Sequence, residues 1–263
     1  MAVANPAAET ATEVLLPGSE SEAIEAFGDG KGVLVVGGGT IVVPEMSYGR
    51  LRPARALMLN NAGLSGIRRD GSRVTIGATT SIQELVDLPA PIGPCAANVA
   101  DLEIRGAASV GGNLCAGDGY EAPRGDLQGA FIAVGAVVRS AGEGGIADEL
   151  LEDFLPKRSE RLVLSISYDE PAAGGFACLD RPHTHDYTAL AVSGARGADG
   201  TMRLAATGAG SYGRRLASAE GGDADAAVND VEPHDDALAS AWYRSKVLPV
   251  LVRRVLTDLE GAS

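Results

Sequence analysis

Apolar positions in this chain come in short runs, each closed off by glycine, proline or charge. The compact β-branched run Val33–Val36 leads straight into a glycine string, KGVLVVGGGT, and predicts a buried strand ending in a tight loop. Ahead of it, Ser21–Phe27 (SEAIEAF) has helical spacing, with Ser19 or Ser21 placed as a cap. Val74 and Ile76 alternate with polar neighbours in SRVTIGATTSIQELVD, which predicts a strand followed by a helix beginning near Thr80 or Ser81. Pro89, Pro91 and Pro94 make PAPIGPCAANVA a rigid connection into a short helix. Asp126–Val138 (DLQGAFIAVGAVV) reads as a helix and then a core strand, and Arg161–Tyr168 (RLVLSISY) as a further strand.

The pattern breaks at Asp169–Gly175, DEPAAGG, where a proline and two glycines separate alternating segments; this is the best candidate for a domain boundary. Beyond it, FACLDRPHTHDYTALAVSGAR and GTMRLAATGAGSY predict two or three strands with tight turns. Near the C-terminus, Leu238, Trp242, Leu248, Val252, Val255 and Leu259 recur at helical spacing, with Pro249 expected to kink or divide the helix.

Composition narrows the picture only in part. At 263 residues the chain is long enough for one large or two ordinary domains. A formal charge of −13 argues against a nucleic-acid partner, because phosphate contacts need Lys and Arg. Part of that acidity lies in Glu220–Asp236, expected to be a solvated loop. No apolar run reaches the ~18–20 residues of a membrane span. The start, MAVANPAAETATEVLL, lacks the basic and apolar segments of a signal peptide. Three widely spaced cysteines (Cys95, Cys115, Cys178) point to a reducing cytoplasm, and their spacing cannot hold an iron–sulfur cluster.

Two glycine-rich stretches carry the candidate chemistry. GGGT at Gly37–Thr40 follows a strand, but Val42 stands where a dinucleotide fingerprint needs glycine, and Pro44 would interrupt the helix expected next. The second stretch, IRGAASVGGNLCAGDG, places Gly106, Ala107, Ala108, Gly111 and Gly112 close together. Successive small residues let backbone N–H groups face one concavity that suits an anion such as a pyrophosphate, with Ser109 and Asn113 as donors at its ends. Two such loops can grip a diphosphate from two sides. His183 and His185 beside Asp186 have the look of metal ligands, but a solvated turn is the favoured reading. Cys115 is read as a small packed residue, not a nucleophile.

With these stretches in place, the chain resembles the FAD-binding medium subunit of the molybdenum hydroxylases, the carbon monoxide, xanthine and aromatic N-heterocycle dehydrogenases. VVGGGTIVVPEM resembles the family's first flavin loop and IRGAASVGGNLCAGDG its second. VTIGATTSIQEL, FACLDRPHTHDYTALAV and AWYRSKVLPVLVRRVL match three further landmarks in the family's order. The resemblance implies an α+β fold. Its first part is a two-part FAD-binding domain of the vanillyl-alcohol oxidase-like (PCMH) type over residues 1–170. A small sheet-plus-helix C-terminal domain follows over 171–263.

Carried over, the family's FAD contacts fall on Val36, Gly37, Gly38, Gly39 and Thr40, and on Ser109, Val110, Gly111, Gly112 and Asn113. Asp126 takes a secondary binding role, and Phe176 falls where some members place an aromatic near the isoalloxazine. The family's Thr-Asp-Leu is Thr40–Ile41–Val42 here, its C-terminal-domain Lys is Cys178, and Gly117–Gly125 is longer than usual. The implied role is an electron relay with no acid, base or nucleophile of its own. A large molybdopterin subunit oxidises substrate, a small subunit carries [2Fe–2S] clusters, and FAD on this chain passes electrons to an external acceptor. The assembly implied is a heterotrimer or a dimer of heterotrimers. A free-standing FAD oxidoreductase and a flavin-free assembly module stay open as alternatives.

Overall fold

The computed structural model describes residues 12–117 and 125–261, so most of the long Gly117–Gly125 stretch lies outside the described residues. The chain opens with β1 (Glu13–Leu15), α1 (Glu20–Phe27), β2 (Val33–Val36), α2 (Val42–Ser47) and β3 (Arg55–Met58). The three strands form a parallel sheet in the order β1-β3-β2. Of the two candidate caps, Ser19 starts α1: its Oγ accepts from the Glu22 amide at 3.2 Å, and Glu20 and Glu22 suit the positive end of the helix. The glycine loop does run into a helix. Pro44 lies in the first turn of α2, where an amide has no intrahelical acceptor, so it does not interrupt the helix as the sequence suggested.

Next come β4 (Ile67–Asp70), β5 (Arg73–Gly77), and the short helices α3 (Ile92–Ala97), α4 (Leu102–Ala107), α5 (Val110–Leu114) and α6 (Gln128–Ala133). They are followed by β6 (Val137–Gly142), β7 (Gly145–Leu150), α7 (Leu151–Phe154) and β8 (Arg161–Asp169). The expected helix after Thr80 is only a single 3₁₀ turn, Ile82–Leu85, closed by the Glu84 carboxylate accepting from the Ser81 amide at 3.1 Å. The five strands form an antiparallel sheet, β4-β5-β8-β6-β7.

Both faces of that sheet are covered, and β8 serves each in turn. Leu162 and Leu164 pack with Phe27 and Leu57, whereas Val163, Ile166 and Tyr168 pack into the main core with Phe131 and Phe154. Strict alternation could not give Val163 and Ile166 the same face. The register between β6 and β8 shifts between Arg139 and Ser140, and the extra residue reverses the parity of the positions beyond it.

Across residues 170–172 the chain leaves this sheet for another, built from β9 (Ala173–Cys178), β10 (Ala191–Arg196), β11 (Met202–Thr207) and β12 (Arg214–Arg215) in the order β12-β11-β10-β9. The terminal helix α8 (Ala241–Gly261) packs on it through Leu248, Val252, Val255 and Leu259. It runs unbroken across Pro249, and Trp242, expected on the packed face, is 69% exposed.

The acidic run Glu220–Asp236 is exposed at Asp223, Asp225, Glu232 and Asp235, as its composition predicts, but it is tied down along its length. Glu220 accepts from Arg215 at 2.8 Å, Asp230 Oδ2 from the Ser218 amide at 2.8 Å, and Asp235 from the Ala241 amide at 2.6 Å. Asp236 meets the fully buried Arg244 guanidinium at 2.7 Å. Carboxylates spaced along this segment pin it to the sheet and to the start of α8.

Candidate functional site

The two glycine stretches meet. β2 delivers Gly37–Thr40 to the end of the parallel sheet, and α4 and α5 deliver Ala107–Asn113 beside them. A Cβ on Gly38 would stand 1.9 Å from the Ala107 carbonyl oxygen and 2.8 Å from Ala108 Cα, so only glycine permits this approach. Ser109 joins the loops. Its Oγ, in a residue 4% exposed, accepts from the Gly38 amide at 3.3 Å and from the Gly112 amide at 3.2 Å, capping α5 with the second bond.

The rest of the second loop is sewn to the segment after β5. The Val110 amide donates to Thr80 O at 2.9 Å and the Gly111 amide to Ala78 O at 2.8 Å. A Cβ on Gly111 would lie 3.1 Å from that same Ala78 oxygen. The amides of Val110, Gly111 and Gly112 are thus used inside the protein, and do not stand free for an anion as the sequence suggested. Close approach of main chain to main chain accounts for much of the bare backbone. The first loop differs. Among the described residues, the amides of Gly39, Thr40 and Ile41 donate to no protein acceptor, and Gly39 turns the chain at φ +73.

Beside these amides lies a solvent-open cleft of about 160 Å³. Ile41, Ile82, Val99, Ile104 and Ala108 make its apolar wall. Thr40, Asn98, Asn113 and Asp126 supply polar groups, and His185, Asp186 and Tyr187 form the remaining side. Asn113 is held by its Oδ1, which accepts from the Leu127 amide at 2.9 Å, leaving its NH₂ as the donor. The Asp126 main-chain oxygen accepts from the Cys95 thiol at 3.4 Å.

Of the residues singled out from sequence, Thr40, Asn113 and Asp126 line the cleft. Gly37, Gly38, Gly39, Ser109, Gly111 and Gly112 build the loop junction at its edge. Val36 and Val110 are buried, at 2% and 0% exposure. Phe176 sits in β9 opposite Ser193, packed against the main core and outside the cleft lining.

The His-x-His stretch is the exposed turn expected, closed by the Asp186 amide donating to His183 O at 3.1 Å. His185, its side chain 75% exposed, stands at the rim of the cleft with Nδ1 3.3 Å from Asp101 Oδ2. Among the described residues, no cluster of three or more metal-ligating side chains is present. Burial pushes the Cys115 thiol up to about 12, which suits a packed residue and not a nucleophile. No described helix is long and apolar enough to cross a membrane.

Apolar walls with a few convergent polar groups and unpaired amides fit an amphipathic ligand that carries a diphosphate. Comparison with known proteins says which. Residues 10–167 match the sequence family described as the FAD binding domain in molybdopterin dehydrogenase. No curated protein matches the chain. Among solved structures, a carbon monoxide dehydrogenase from Hydrogenophaga pseudoflava, lacking the Mo-pyranopterin moiety of its cofactor, superposes with a TM-score of 0.83. It is 25% identical over 96% of this chain and 98% of its own. The reconstituted CO dehydrogenase from Oligotropha carboxidovorans gives 0.83 at 22% identity, covering 96% of this chain and 99% of that one. Quinoline 2-oxidoreductase from Pseudomonas putida 86 gives 0.78 at 18%, covering 96% and 98%. The last two show a shared fold. With well over half its length matched, the chain belongs to the family of FAD-binding domains of molybdopterin dehydrogenases, the medium subunits of molybdenum hydroxylases.

Proposed function

We propose that this chain is the electron-relay subunit of a molybdenum hydroxylase. It takes electrons from [2Fe–2S] clusters on a small partner subunit and passes them to an external acceptor, while a large molybdopterin subunit oxidises the substrate. The observation that carries the reading is the set of unpaired amides at Gly39, Thr40 and Ile41, held at the mouth of an apolar cleft by contact with the second loop. FAD, when bound, would supply a carrier able to take up electrons one at a time from one-electron clusters and pass them on singly or as a pair.

The residues of this chain bind and orient. The amides of Gly39–Ile41 would hold the diphosphate, Thr40 and Asn113 the hydroxyl-bearing chain, and Ile82, Val99 and Ile104 a ring system. Ser109, Gly111 and Gly112 would act by fixing those groups in place, and Phe176 from the sheet beyond. The passage from one sheet to another at residues 170–172 supports two domains divided near residue 170. The likeness to CO dehydrogenase and quinoline oxidoreductase supports a heterotrimer, and three free cysteines suit a reducing cytoplasm.

Native purification, followed by visible spectroscopy and an analysis of accompanying chains, tests this. Oxidised-flavin bands with a larger, molybdenum-bearing and a smaller, iron–sulfur companion are expected, and dithionite-reduced clusters should reduce the flavin. A folded chain that takes up no added FAD would overturn the reading. Flavin on a lone chain that oxidises an organic substrate would replace it with a free-standing oxidoreductase.

A further inference from the structure

One wall of the cleft is a hairpin loop held from outside its own sheet. β9 and β10 pair up to Cys178 and Ala191, and the Leu179 amide closes the stem on Leu190 O at 2.9 Å. The loop between them, which carries His185, Asp186 and Tyr187, leaves the sheet and lies along residues 98–101. Thr188 accepts from the Asn98 side-chain amide at 2.7 Å, and His185 Nδ1 reaches Asp101 Oδ2 at 3.3 Å.

Arg181 makes the central tie. Its guanidinium donates through Nη1 to Thr184 O and, at 3.3 Å, to Asp186 O, which sets the shape of the loop. Through Nη2 it donates to Ala100 O at 3.1 Å, on the opposite wall. Ala100 has φ +40, a left-handed conformation that a residue with a Cβ seldom adopts. Its carbonyl also accepts from Arg105 Nη1 at 3.1 Å, so two guanidinium groups bracket one strained peptide that itself lines the cleft. A planar fork of five donors suits three carbonyl acceptors on two segments, which a lysine ammonium does not.

We propose that Arg181 is a positioning residue for the cofactor: by clamping the 180–189 loop to Ala100 it holds that wall of the cleft closed and limits the rate at which FAD enters and leaves. The proposal rests on the FAD reading above. It assigns no bond to the flavin itself.

The test compares wild type with Arg181→Ala and Arg181→Lys, measuring FAD uptake and release by stopped-flow flavin fluorescence. Hydrogen–deuterium exchange of residues 180–189 in the flavin-free chain is read alongside. Arg181→Ala is expected to release FAD at least tenfold faster, and to take it up faster, with accelerated exchange confined to 180–189 and 98–101. Arg181→Lys is expected to behave similarly while keeping the charge. Both rates within twofold of wild type, or slower uptake with unchanged release, would overturn the proposal. If Arg181→Ala fails to fold, Arg181→Lys decides by the same limits. A wild-type chain that binds no FAD would overturn both readings. FAD-binding variants with wild-type rates would overturn this one alone.

Discussion

Replacing Gly38 by alanine puts a methyl group where backbone already stands. The added Cβ would lie 1.9 Å from the Ala107 carbonyl oxygen, 2.7 Å from its carbon and 2.8 Å from Ala108 Cα. No rotamer relieves a clash with main chain, so the two loops must part by about 1 Å to reach even the closest Cβ contact proteins show. Overpacking of this kind costs ~1–3 kcal/mol. Stretching the Gly38 amide away from Ser109 Oγ forfeits a further ~0.5–1.5 kcal/mol. A total of ~2–4 kcal/mol lowers Tm by roughly 5–15 °C in a chain of this size.

In the proposed binding mode, the same displacement would move the amides of Gly39–Ile41 off the diphosphate. Losing two hydrogen bonds to a charged group, at ~1.5–3 kcal/mol each, weakens FAD binding by roughly 10²–10⁴-fold. Gly106→Ala is the control, since a Cβ there meets nothing within 4 Å and the residue lies in α4. It should leave FAD affinity unchanged and raise stability by up to ~1 kcal/mol, the helix propensity of alanine over glycine. Melting of the flavin-free chain and a fluorescence titration with FAD read both effects. A Gly38→Ala chain that melts and binds like wild type would show that the loops tolerate the methyl, and the packing account of this glycine would fall.

Ser109→Ala removes one acceptor from two amides and is expected to cost ~1–2 kcal/mol by urea unfolding, with weaker FAD binding as the loops lose their tie. Arg244→Ala leaves the Asp236 carboxylate buried without its cation and should destabilise by ~3–5 kcal/mol; adding Asp236→Asn should recover part of it in the same assay. Burial raises Cys115 from 9.0 to about 12 and Tyr168 from 10.0 to about 12. Folding favours their neutral forms, so this contribution is complete below pH 9 and is lost as pH rises toward 12. Urea midpoints at stepped alkaline pH should fall across that interval, and Cys115→Ala should make the fall shallower.

Local pattern carried the elements whose own residues decide them. Val33–Val36 and Arg161–Tyr168 form strands because β-branched and alternating residues suit a buried pleat, and Ser19 starts a helix because its hydroxyl can reach an amide three residues on. What stayed hidden depends on partners far along the chain. Nothing in RLVLSISY announces the extra residue that turns Val163 and Ile166 to one face, since the bulge exists only against Arg139 and Ser140. Glu220 and Asp236, at the ends of the acidic run, look solvated until Arg215 and Arg244 arrive to meet them. The site divides the same way. Glycine density marked both loops, but that Gly38 fits under Ala107, while the amides of Val110 and Gly111 are spent on Thr80 and Ala78, emerges only from the packed chain. His185 and Tyr187 carried no helical or strand signal to place them at the cleft.

The hairpin loop clamped by Arg181 lies outside residues 10–167, the stretch that defines the family match. The cleft is therefore assembled from both sides of that limit, and filling it links their fates by mass action. A ligand at one hundred times its dissociation constant adds ~2.7 kcal/mol to whichever species binds it whole. A fragment ending near residue 170 would forgo that share, having lost one wall. Bound as proposed, FAD would act as a thermodynamic seam, adding to the packing of Ala195 and Ala205 in the main core that already joins the last third of the polypeptide to the first two.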